Sequence, residues 1–190
     1  MSEENQPLYN ALSIAHSIYR DGLRQLDNPG SAYLQGFGCG PNLAEVHGLG
    51  FVPNSWDTIA SAFTHDNAGC RCLDVGVEAG LIRKTPSGKY YDYLRGRITV
   101  PFYDEKDRVV GFAGYSVDLL WKPFILCTPE TAVLHKLKAY CNLPPFFPPW
   151  SSTSSAESLL ELSDELRRIL GEDELEIVSW RNNKGRVFDA

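Results

Sequence analysis

Two runs of residues constrain this chain more than anything else in it. Ile98–Tyr103, "ITVPFY", and Val109–Val117, "VVGFAGYSV", are rich in β-branched and aromatic residues, and the charged segment "DEKD" separates them. Apolar runs of strand length joined by a polar turn read as an antiparallel hairpin. The segments before it carry the other period. From Leu8 to Leu26 the apolar residues Leu8, Leu12, Ala15, Tyr19, Leu23 and Leu26 recur at helical spacing, and "DNPG" stops the pattern. A short helix is expected in "SAYLQGFGCGP" before its glycine-rich turn, and another in "NLAEVHG", closed by Gly48. "LGFVPNSWDTIASAF" reads as an extended piece and then a helix, with Asn54 or Ser55 as cap and Asp57 at its positive end. "CLDVGVEAGL" reads as a helix closing at Gly80, and Pro86-Ser87-Gly88 as the tip of a hairpin or loop. The fold class is therefore α+β: N-terminal helices packed on a small antiparallel β-sheet, with a C-terminal helical extension.

The end of the chain differs in character. "WKPFILCTPET" reads as extended up to Pro129. "TAVLHKLKAYCNL" reads as a helix, with Thr128 as cap, Pro129 in the first turn and Glu130 at the positive end. After Leu143, "PPFFPPWSSTSS" has linker chemistry, and Ser154 or Ser155 caps an amphipathic "AESLLELSDELRRIL". The expected organisation is a domain over residues 1–143, a Pro/Ser-rich linker over 144–156 and an acidic helical tail over 157–190.

Charge is distributed unevenly along a chain of net charge −6. Between Glu157 and Glu176 there are eight acidic residues against Arg167 and Arg168. Between Leu81 and Arg97 the balance reverses: Arg83, Lys84, Lys89, Arg95 and Arg97 stand against Asp92 alone. That pattern suits local contact with nucleic acid and argues against indiscriminate binding over the whole surface. Arg95 and Arg97, two apart, would share one face of an extended chain and form a fork for phosphate oxygens. The structural alternative is that they pair with Asp92 or Asp104. Tyr90, Tyr91 and Tyr93 beside them either stack on unpaired bases or fill a sheet face. Lys136, early in its helix, is placed to reach an anion.

Other chemistries find little support in the residues. The chain has no Walker-type loop, no Gly-x-Ser-x-Gly and no His-Glu-x-x-His. His16, His47, His65 and His135 are dispersed, with His16 expected in a helix as a surface or core residue. Cys70, Cys72 and His65 are the candidate metal ligands. A Cys-x-Cys with scattered partners falls short of the paired spacing of zinc sites, so ordinary thiols and no cofactor are expected. No apolar run approaches the ~20 residues that span a bilayer, and "MSEENQPLYN" is not a signal peptide, so the expected setting is the cytoplasm, with no membrane partner.

Taken in order, several segments resemble the N-terminal subdomain of the RNA-polymerase core of bacterial-type DNA primases. They are "ALSIAHSIYRDGL", "AYLQGFG", "GLGFVPNSWDTI", "EAGLIRKTPSGKYYDYLRGRITVPFYDEKDRVVGFAGYSV" and "KPFILCTPETAVLHK", ending near "AYCNL". The resemblance implies a basic groove that guides single-stranded template DNA. It assigns Arg95, Arg97 and Lys136 to that groove, with Arg83, Lys84 and Lys89 as further nucleic-acid contacts. The chain departs from the family pattern where Phe37 and Phe124 replace cations and Cys127 and Leu137 replace Asn and Gly, which implies a surface that meets protein. No zinc ribbon precedes the similar region, and no metal-binding domain with catalytic carboxylates follows it, so primer synthesis by this chain alone is not expected. The implied function is a stand-alone, non-catalytic module from a mobile element. It would bind single-stranded DNA or a replication protein such as a helicase or primase. The alternatives are an inhibitor or decoy of host replication or defence factors, and one half of a split primase that needs a separate metal-binding chain.

Overall fold

The computed structural model describes residues 5–36, 38–64, 72–118, 123 and 125–134. These fall within Met1–His135, the first of two compact units; the second, Lys136–Ala190, lies outside the described residues, and with it the expected linker and acidic tail.

Helix α1 spans Gln6–Arg24. Proline occupies its first turn, where no intrahelical N–H is needed, and Arg24 sits at its negative end. Leu8, Ala11, Leu12, Ala15, Tyr19 and Leu23 form the buried stripe. Leu26 lies beyond the helix end and is exposed, so it does not continue that stripe as its spacing predicts. Helices α2 (Pro29–Gly36) and α3 (Pro41–Val46) follow, then strand β1 (Gly50–Val52), α4 (Thr58–Thr64) and α5 (Cys72–Glu78). The remaining elements are strands: β2 (Ile82–Lys84), β3 (Tyr90–Asp92), β4 (Arg97–Tyr103), β5 (Val109–Ser116) and β6 (Ile125–Cys127).

The strands make two antiparallel sheets. The larger has the order β1-β4-β5-β6, and the smaller pairs β2 with β3. Phe51 lies opposite Ile98, Val100 opposite Ala113 and Gly114 opposite Leu126, with an irregularity at Phe102/Tyr103. Helix α1 packs on β1, β5 and α5. At Gly22 a side chain would collide with the Phe51 carbonyl, so glycine here sets how closely α1 approaches β1. Tyr19 meets Phe112 of β5 edge-on at 5.1 Å, and both are fully buried with Leu12, Val52, Ile59, Leu81 and Leu94. Burying each such side chain stabilises the fold by about 1.5–3 kcal/mol.

The expected β4–β5 hairpin is present, and so are the amphipathic first helix and the hairpin at Pro86–Gly88. Two helix starts differ from expectation. Thr128 does not cap a helix. It is buried and extends the β5–β6 pairing: its N–H donates to the Phe112 carbonyl at 2.9 Å and its hydroxyl accepts from the Phe112 N–H at 3.0 Å. Thr131 caps the following turn instead, accepting from the Leu134 N–H at 3.1 Å. Residues Thr131–Leu134 are not helical, and the rest of that expected helix lies outside the described residues. At α4 neither Asn54 nor Ser55 provides the cap. The Asp92 carboxylate, 33 residues away, accepts from the Ile59 N–H at 2.8 Å, while the Ser55 hydroxyl donates to Asp57. No helix among the described residues is long and apolar enough to cross a membrane.

Candidate nucleic-acid interface

Three of the five cations of the Leu81–Arg97 stretch, Arg83, Lys84 and Arg95, lie against aromatic rings. In the β2–β3 pair Arg83 stands opposite Tyr91 and Lys84 opposite Tyr90; residues directly opposite share a face of the sheet. The Arg83 guanidinium carbon is 4.3 Å from the centre of the Tyr93 ring, and the Lys84 ammonium is 5.2 Å from that of Tyr90. Arg95 lies over Trp56 at 3.9 Å, with Tyr91 at 5.7 Å. Trp56 and Tyr91 meet edge to face at 6.0 Å. Trp56 is 61% exposed although its ring is large and apolar. Each exposed cation–aromatic pair contributes about 0.5–1 kcal/mol. Lys89 is exposed beside the hairpin tip, its backbone N–H held by the Thr85 hydroxyl at 3.0 Å.

Arg95 and Arg97 do not share an extended face. Gly96 has φ +68°, a left-handed conformation open to glycine at little cost, and it turns the chain between them. The turn is pinned by the Gly96 N–H, which donates to the Val52 carbonyl at 2.9 Å. Arg95 is left half-buried over Trp56, while Arg97 begins β4 pointing inward, 5% exposed. Arg97 Nη1 donates to the Arg95 carbonyl at 3.0 Å and Nη2 to the Pro123 carbonyl at 3.1 Å; Nε is buried with no hydrogen-bond partner among the described residues. Burial, and then the charge of Arg95, lowers its pKa. Neither expected acid neutralises Arg97: Asp104 pairs with Arg108 at 2.7 Å, and Asp92 holds the start of α4.

Trp56 is the residue that sequence reading missed. Its neighbours Tyr91 and Arg95 are far along the chain, and the segments meet only in the fold, where the Asp92 N–H donates to the Trp56 carbonyl at 2.8 Å and the Asp92 carboxylate accepts from Ile59 and Ala60. Phe37, Phe124, Lys136, His65 and Cys70 lie outside the described residues, and Cys72 is described only as the first residue of α5. Among the described residues no group of three or more His, Cys, Asp or Glu side chains is arranged to hold a metal ion.

Residues 18–144 match the family model described as the DNA primase catalytic core, N-terminal domain. The chain belongs to this family. It is 37% identical over 135 residues to a DNA primase of Pseudomonas putida, which is 70% of this chain and 20% of that protein. A DNA primase of Legionella pneumophila is 31% identical over 136 residues, 72% of this chain and 23% of its own. The chain thus spans about a fifth of the length of these curated relatives. Among solved structures, the DnaG primase catalytic domain bound to single-stranded DNA superposes with a TM-score of 0.65 at 26% identity, covering 71% of this chain and 43% of that one. A DNA primase domain from Pseudomonas aeruginosa superposes with a TM-score of 0.60 at 34% identity, covering 67% and 40%. The primase-core resemblance and the α+β class read from the residues are both borne out.

Proposed function

We propose that this primase-family domain binds single-stranded DNA across the face formed by Trp56, Tyr91 and Arg95, continued by Arg83 and Tyr93. The observation that carries the reading is an exposed tryptophan with an arginine laid on it at the edge of a cation-rich hairpin. Aromatic rings accept any unpaired base by stacking, and cations beside them meet the intervening phosphates. The groups on this face hold and orient a strand; they do not make or break its bonds. Arg83, Lys84 and Lys89 supply phosphate contacts around the hairpin. Arg97 supports the face from inside, since one of its donors holds the carbonyl of Arg95. The solved DnaG domain bound to single-stranded DNA, 26% identical, supports the same class of ligand.

The test is a titration of fluorescein-labelled oligo-dT at low salt, read by anisotropy, against the native chain and Arg95→Ala. The native chain is expected to bind, and the variant to bind about ten-fold more weakly, as for the loss of one stacked or charged contact. Raising the salt should weaken native binding with a log–log slope of about −2 to −3, which corresponds to about three or four phosphates on a single strand. No binding by the native chain at low salt would sink the reading.

A further inference from the structure

We infer that Asp92 is the positioning residue of this face: it clamps β3 to the start of α4 and so sets where Trp56, Tyr91 and Arg95 meet. The inference rests on the single-stranded DNA reading for its functional consequence, but the clamp stands on its own geometry. Asp92 is fully buried. Its Oδ2 accepts from the Ile59 N–H at 2.8 Å, its Oδ1 from the Ala60 N–H at 3.0 Å, and its own N–H donates to the Trp56 carbonyl at 2.8 Å. Three hydrogen bonds from one residue thereby fix the segment from Trp56 to Ala60. Side chains alternate along a strand, so the carboxylate points inward while Tyr91 carries its ring to the other face; Tyr93 follows in the turn. Those two rings hold Arg95 and Arg83. A change at the clamp therefore moves both cation–aromatic pairs together.

The Asp92 carboxylate sits in surroundings that do not favour its charge. Burial pushes the Asp92 carboxyl above its ordinary range, and the amide hydrogen bonds only partly pull it back. No cation forms an ion pair with it among the described residues. A local cap from the residue preceding Thr58 would reach the same amides without linking α4 to β3 through a carboxylate.

The test uses the full chain carrying Trp121→Phe, Trp150→Phe and Trp180→Phe, which leaves Trp56 as the sole indole. Asp92→Asn is compared with the parent by acrylamide quenching of Trp56 and by oligo-dT affinity, alone and combined with Arg95→Ala. Asn keeps one acceptor and turns an N–H₂ toward the other helix amide. Trp56 quenching is expected to rise and affinity to fall about ten-fold, within the range for one stacked base. Adding Arg95→Ala should then weaken binding by less than about two-fold more, because both changes act through one contact. Native-like quenching in Asp92→Asn, or losses that multiply in the double variant, would overturn the inference. Far-UV circular dichroism checks folding. If Asp92→Asn is unfolded, Asp92→Glu is read in its place: raised quenching supports the clamp and parental quenching overturns it. If the parent binds no DNA, the functional reading fails while the quenching comparison still decides the clamp.

Discussion

The two hairpins of this domain treat their cations in opposite ways. At the β4–β5 hairpin Arg108 meets an acid, with Nη2 2.7 Å from Asp104 Oδ2, and it also lies over Tyr9 at 3.8 Å and donates to its hydroxyl. That cation ties the hairpin turn to α1, and the strands behind it are buried along nearly their whole length. At the β2–β3 hairpin each strand has three residues, and Arg83 and Lys84 make no ion pair among the described residues; they lie over Tyr93 and Tyr90. An arginine neutralised by a carboxylate has committed its donors to the fold. A guanidinium stacked by its face does not spend its in-plane N–H donors on the ring. The first hairpin commits its cation to an acid and to α1; the second leaves its cations stacked on rings.

The comparison breaks first at its buried side. Phe112→Ala removes a fully buried ring from β5 and should cost about 3–5 kcal/mol by denaturant titration, lowering DNA binding only as far as it unfolds the domain. Trp56→Ala should do the reverse. Its ring is mostly exposed, so stability should stay within about 0.5 kcal/mol, while oligo-dT affinity falls by the equivalent of about 1–3 kcal/mol. A Trp56 variant that loses stability but keeps affinity would invert the two roles. Arg108→Ala should lower the melting temperature only slightly and leave affinity unchanged, because its pair is partly exposed and structural.

The smallest expected effect concerns His16, whose Nε2 lies 2.9 Å from the Gly48 carbonyl and whose ring packs near Tyr103 and Phe112. Burial is the main cause that lowers its pKa below the usual 6.5. The unfolded chain then takes up the proton more readily than the fold. The stabilising contribution is therefore complete above 6.5 and is lost as pH falls through that value toward the lower folded pKa. Melting temperatures of the native chain should decline more steeply than those of His16→Gln between about pH 7 and pH 5. Parallel declines would show that His16 does not drive the effect.

What was legible in the sequence was legible because it was long. α1 and the β4–β5 pair display several periods of their patterns, and their boundaries agree closely with the structure. The three-residue strands β1 and β6 are too short to show alternation, so their pairing with β4 and β5 was not readable. Local capping rules failed at α4 because a buried carboxylate from 33 residues away competes for the same amides. They failed at Thr128 because its hydroxyl is engaged with β5. The Arg95/Arg97 pair was visible as charge, but one glycine in the left-handed region separates the two side chains into an outer and an inner role. Trp56 carried no local signal, since the site it completes exists only after the chain folds.

If the Trp56–Tyr91–Arg95 face takes single-stranded DNA, unpaired bases stack on it. Photocrosslinking with 5-iodouracil-substituted single-stranded DNA, followed by mass spectrometry of the adducts, addresses this stacking directly, because the halogenated base reacts with aromatic side chains it stacks on. Adducts are expected at Trp56 or Tyr91 in the native chain, reduced when unlabelled oligo-dT competes. Adducts confined to other peptides, or none competed away by unlabelled strand, would contradict stacking on this face.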